Sequence, residues 1–541
     1  MRLLLPLLLA LAAVQDHPHR YADGEARLLP GLGSTHRPIA TRNEDAQKFF
    51  DQGLTLVYGF NHEEAIRSFR RAAELDPAAT MPLWGIALAL GPNINLDVDP
   101  DREREAHETA QRALKVAAAA PAAERAYAAA LARRYSDDAK ADLRALAVDY
   151  KNAMRDLVRQ YPNDLDAATL YAESLMDLRP WKLWTNDGKP EEGTEELIAV
   201  LESVLKRDPQ HVGANHYYVH AVEASQTPER ALASAKRLET LVPLAGHLVH
   251  MPAHIYMRTG DYYGSLVANL RAVNVDREYF AATNAGGIYP LMYYNHNLDF
   301  AASSAMMTGQ LVEADRNAQF LVREVTPSLS DMAMLEPFAA KSLYVWLRFA
   351  KWDYVLELAR PDPKRGILTV LYHFGRGVAF VKKGQTADAE RERTAFREAG
   401  RTLPPDTPWN YNTAGDMMKV MDAVLDGRIA SASGNDMAAV DALRRAVAAE
   451  DALNYDEPPD WYYPVRESLG AALLHALRFE EAEGVFREDL RRNPHNPRSL
   501  FGLWQSLVLI GNTRAASLAE AEFKEAWKHA DRNVELKLSD F

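Results

Sequence analysis

Cysteine is absent from the 541-residue chain. That excludes disulfides, thiolate metal ligands, a cysteine nucleophile and a lipid anchor on an N-terminal cysteine. Runs of one charge sign are missing as well: the net charge is −13, acidic and basic residues are interspersed, and no basic stripe stands ready to neutralise phosphates. Nucleic acid is therefore not an expected partner. A Gly-rich phosphate loop, a nucleophile elbow and a His-Glu-x-x-His motif are all lacking, so no nucleotide cofactor is expected. Long apolar runs are also scarce. The run Leu3–Ala13, interrupted by Pro6, falls short of the roughly 20 residues needed to cross a hydrocarbon core of about 30 Å, and no membrane span is expected. Behind Met1-Arg2, and with small residues at Ala10, Ala12 and Ala13, that run reads as a signal peptide over residues 1–14. With no cysteine to oxidise, export to a bacterial periplasm or the cell exterior is the expected location.

What is present is helix-forming. Hydrophobic side chains make up 48% of the chain, and Ala, Leu, Glu and Arg recur throughout, residues that lose little freedom in a helix. After an extended lead over 15–40, Glu44 to Tyr58 has helical apolar spacing. A second segment follows, Phe60-Asn61-His62-Glu63-Glu64-Ala65-Ile66, with Phe69, Ala72-Ala73 and a closing Leu75-Asp76-Pro77. Small Ala65 lets two helices approach, and Pro77 stops the second because its ring cannot continue the hydrogen-bond ladder. The pattern returns: Asp208-Pro209 repeats Asp76-Pro77, Pro162 and Pro243 close further units, and small residues recur at Ala231, Ser265, Ala314, Ala389, Ala482 and Ala516. Leu469 to Leu477 followed by Glu480-Glu481-Ala482 is the cleanest single unit.

These residues resemble the tetratricopeptide repeat family over most of 41–541, in about nine to eleven degenerate units. The resemblance implies an all-α solenoid of stacked helix-turn-helix repeats, a superhelix with a concave groove, and a peptide, protein or small-molecule ligand in that groove. Three stretches depart from the pattern, near 95–160, 179–191 and 275–288; the second places Trp181 and Trp184 in a loop.

Two histidine pairs carry the chemistry. His216 and His220 recur 34 positions later as His250 and His254, and that offset is one repeat period, so the four rings occupy equivalent places on neighbouring units. Counted from the closing prolines, Glu173 falls in the row of His220 and His254; counted from the turn glycines, His296 matches His247 and Asp299 matches His250. In the family the first helix of each unit lines the groove, which implies that His216, His220, His247, His250, His254, His296, Glu173 and Asp299 face it together. Histidines at i and i+4 leave a helix on one side and form a chelate. Imidazole without thiolate suits Cu, Zn, Fe(II) or Ni, as one ion or two. Asn215, Tyr218, Tyr256, Asn295, Trp181 and Trp184 are the expected ligand-binding neighbours. Three readings follow: a binding scaffold with a metal in its groove, an oxidative or hydrolytic metalloenzyme, and a metal-free peptide-binding scaffold whose groove is rich in histidine. The first two differ in whether the ion keeps an open coordination position.

Overall fold

The computed structural model describes residues 26–541. The segment 1–14 read as a signal peptide, and 15–25 of the lead, lie outside the described residues. The chain forms two compact units, one comprising residues up to Ile255 with Arg271–Tyr294, the other Tyr256–Leu270 with Asn295–Phe541. Each is all-α, a stack of helix pairs in which successive helices pack on one another. The second unit also carries a short hairpin, Pro408–Trp409 against Asn412–Thr413. Among the described residues no helix is long and apolar enough to cross a membrane.

The first pair shows how the sequence sets the stack. Helix Glu44–Tyr58 starts at Asn43, whose side chain accepts from the N–H groups of Asp45 and Ala46, satisfying donors that have no partner within the helix. The chain turns through Gly59 and Phe60, the latter held at φ 56°, and Asn61 caps helix His62–Leu75 by accepting from Glu64 N–H. Phe69 of that helix is clamped from both sides. A Cβ on Gly53 or on Gly85 would stand 2.6 or 2.7 Å from its ring, so only glycine at both places admits a fully buried aromatic there. The second unit uses the same device at the same chain spacing: Phe486 sits between Gly470 and Gly502, where a Cβ would come within 2.3 and 2.2 Å. Burying each ring contributes about 1.5–3 kcal/mol.

The small residues read as helix crossings are buried, with Ala65, Ala231, Ser265, Ala314, Ala389 and Ala482 at 0% exposure. Around 95–160 the chain forms helices Pro100–Ala117, Ala122–Leu131 and Leu143–Gln160. Residues 179–191 form a loop pinched by a bridge between Trp184 and Pro190. Helix Tyr262–Thr283 runs into the 275–288 stretch.

Candidate metal centre

Three short helices carry five histidines of the first unit. His216 and His220 lie on Val212–Val222, His247 and His250 on Gly246–His250, and His254 on Pro252–Thr259. Pro252 has no N–H to give the ladder, and the helix breaks at Met251. His254 still follows His250 by about one turn, so both rings leave the same side. Gly246 allows the backbone to pass close to Asp276, whose carboxylate would lie 1.9 Å from any Cβ placed there. Tyr289 fixes the next residue, its hydroxyl accepting from His247 N–H at 3.1 Å and donating to Asp276 at 3.0 Å.

The five rings are enclosed, none more than 3% exposed, where the repeat pattern placed them along an open groove. Their cover comes from elsewhere in the first unit. Phe60 packs on His216 at 4.5 Å between ring centroids and stacks on His247 at 5.5 Å and His220 at 5.9 Å. Tyr293 meets His247 edge-on at 4.8 Å, and Trp181 meets His220 at 5.6 Å.

Hydrogen bonds set which nitrogen of each ring turns inward. His216 Nδ1 lies 2.6 Å from the Tyr58 carbonyl oxygen, an acceptor, so Nδ1 carries the proton and Nε2 keeps its lone pair. Glu223 does the same for two rings at once, its Oε1 accepting from His220 Nδ1 at 2.7 Å and its Oε2 from His254 Nδ1 at 2.5 Å. Among the described residues no hydrogen-bond partner meets buried His220 Nε2. His247 Nε2 lies 3.2 Å from His216 Nε2, and one ligand nitrogen each from His216, His220 and His247 fall within 4.8 Å of one another. Two nitrogens bound at about 2.0–2.1 Å to one tetrahedral ion stand roughly 3.3 Å apart, close to the His216–His247 separation. His250 Nε2 and His254 Nε2 face each other at 2.8 Å.

Burial, with the neighbouring His220, pushes the His216 imidazolium well below its ordinary range, and burial likewise lowers His220. Neutral rings are the form that binds metal. Burial opposes the charge on Glu223, yet His254 and His220 more than reverse that and hold the carboxyl below the usual range. The centre thus combines neutral nitrogen donors with one anchored anion, a carboxylate–histidine arrangement that fixes tautomers and raises ligand basicity.

Glu173, on Leu165–Met176, is buried beside Asp177 and Arg134, and burial and the Asp177 carboxylate push its pKa up; Arg134 pairs with Asp177 at 2.6 Å. Asp299 and His296 belong to the second unit, where Asp299 pairs with Lys341 at 2.5 Å and His296 meets Phe300 edge-on at 5.4 Å. Tyr256 and Asn295, both buried, are also in the second unit. Asn215 donates to the Pro209 and His211 carbonyls at 2.9 Å each, bracing the start of its own helix, and Tyr218 donates to Glu202 at 2.6 Å. Trp181 donates to Asn95 at 3.1 Å and Trp184 to the Ala221 carbonyl at 2.8 Å. Glu223 escaped the sequence reading. Its signal was the spacing His220-Ala221-Val222-Glu223, an i, i+3 pair on one helix face.

No protein-family model matches the chain, and no curated protein does. Among solved structures, the chain is similar to a human IFIT1 dimer with PPP-AAAA, at 13% identity and TM-score 0.32 over 88% of this chain and 89% of that one. A human IFIT1 dimer with m7Gppp-AAAA gives 12%, 0.31, 91% and 91%, and yeast Tom70 gives 12%, 0.30, 89% and 97%. Similarity at this level carries no argument about function, and the all-α assignment rests on the helix pairs themselves.

Proposed function

We propose that the first unit of this helical-repeat protein binds a transition metal ion through the Nε2 atoms of His216, His220 and His247. The observation that carries the reading is the inward convergence of three buried imidazoles, two with Nδ1 tied to an acceptor. Imidazole donors favour Zn, Cu, Ni or Fe(II). Three protein ligands leave a coordination position for a ligand or partner group, which makes the centre a binding module and supports a second reading, a metalloenzyme in which that position takes water or substrate. In either case Glu223 orients His220, while Phe60, Tyr293 and Trp181 wall the rings from water. The protein is proposed to work after export, a reading supported by the apolar Leu3–Ala13 run and the lack of cysteine.

The test is elemental analysis by mass spectrometry of untagged protein loaded with Zn2+ or Cu2+ and desalted, beside a His216→Ala, His220→Ala, His247→Ala variant. Metal retained stoichiometrically by the native chain, with one equivalent fewer in the variant, is the expected result. Equal metal in both, or none in either, would return the first unit to metal-free peptide recognition.

A further inference from the structure

His250 and His254 are absent from the ligand set above, yet they are built like it. Both are buried to within 1% exposure, their Nε2 atoms face each other at 2.8 Å, and the proton on His254 Nδ1 is taken up by the same carboxylate that holds His220. Ring centroids of the two sets lie close: His220 to His254 is 5.4 Å and His247 to His250 is 5.7 Å. All six residues belong to the first unit.

We infer that His250 and His254 are ligands of a second transition metal ion, and that Glu223, hydrogen-bonded to one ligand of each ion, couples the two sites. The chemistry follows from the carboxylate. Each oxygen of Glu223 fixes one histidine with its proton on Nδ1, so one side chain sets the ligand-competent tautomer at both sites. When an ion binds at His220, it polarises the imidazole and strengthens the N–H donated to Glu223. The carboxylate is then better held for His254, and occupancy of one site preorganises the other. Two cations side by side repel, and the buried carboxylate between their ligands offsets part of that repulsion.

This rests on the proposed function, and the two can fail separately. Titration of metal-free protein with Co2+, followed by the visible d–d absorption and by calorimetry, should give two equivalents for the native chain. His254→Ala should leave one, at the first site, and the His216, His220, His247 triple-alanine variant should leave one at the second. Glu223→Gln, which keeps the side-chain shape and both sites' ligands, should weaken both steps by about 10–100-fold, with circular dichroism confirming the helical fold. A native chain that binds one equivalent, unaltered by His254→Ala, would overturn the second site and leave the first standing. Two equivalents with only one weakened by Glu223→Gln would overturn the coupling. No binding by any form would remove the proposed function itself.

Discussion

Each unit buries a polar network, and the two networks are built on opposite logic. In the second unit Arg348 clasps both oxygens of Glu467, one of them at 3.0 Å. Asn496 donates to Glu467 at 2.9 Å and to Asp489 at 2.8 Å, and Ser499 donates to Asp489 at 2.6 Å. Cation meets anion there, and the two carboxylates take their hydrogen bonds from Arg348, Asn496 and Ser499. In the first unit, His216 faces His247 and His250 faces His254, nitrogen to nitrogen. Neutral imidazoles that face one another share a single N–H and bring no net charge of their own, so a cation is able to take that proton's place between them. The lesson is that burial of polar groups does not by itself mark a binding site. Paired opposite charges point to structure; converging imidazoles are the arrangement proposed to take a cation.

That contrast is broken most sharply at Glu467. Removing one partner of a buried ion pair leaves an uncompensated charge, so Glu467→Ala should cost about 3–5 kcal/mol of stability, read by denaturant unfolding, while Co2+ affinity of the first unit stays within experimental error. A loss below about 1 kcal/mol would show that Arg348 finds water or another partner. The converse change is Glu223→Gln, with a 10–100-fold drop in metal affinity as its main effect. If metal affinity held and only stability fell, the first-unit network would be structural like the second.

The repeats and the histidine rows were legible in the sequence because both rest on local spacing. A 34-residue offset places His216 with His250 and His220 with His254 on equivalent turns, and all four rings do meet in the first unit. What spacing does not carry is where distant segments return. The acceptor that fixes His216 is the carbonyl of Tyr58, 158 residues away, and the ring that covers three of the histidines is Phe60, placed by a left-handed turn between the first two helices. Glu173 is buried beside Asp177, which pairs with Arg134 from the departing 95–160 stretch, and that acid–arginine cluster is not announced by spacing.

Acid should act on the two units with opposite sign. Burial lowers His62, the first residue of helix His62–Leu75, from 6.5 to about 3; its folded form resists protonation, so its contribution is present above pH 6.5 and is lost as pH falls from there toward 3. Burial and the nearby Glu467 raise Asp489 in the second unit from 3.8 to about 6; its contribution is present below pH 3.8 and is lost as pH rises through 6. Between pH 4 and 6 the two oppose each other, each at up to about 1.4 kcal/mol per pH unit. Asp489→Asn should make stability climb more steeply with pH in that window, and His62→Gln should flatten the climb. Unfolding curves of the metal-free variants at pH 4, 5 and 6 check both, and identical slopes in all three proteins would show that neither group titrates with folding.

The smallest expected effect sharpens the boundary of the metal centre. Trp181 holds its backbone at φ 57°, donates its indole N–H to Asn95 and sets its ring edge on His220. Trp181→Phe keeps an aromatic wall but deletes the donor, so it should cost about 0.5–1.5 kcal/mol, the net worth of one hydrogen bond, and leave Co2+ affinity unchanged because no ligand nitrogen loses its partner. Wall and tether would then be separable: the ring keeps water from the imidazoles, and the N–H only anchors the loop. If metal affinity fell as far as it does in Glu223→Gln, the loop's anchorage would itself position His220, and the centre's support would extend from the carboxylate that holds its nitrogens to the segment that covers them.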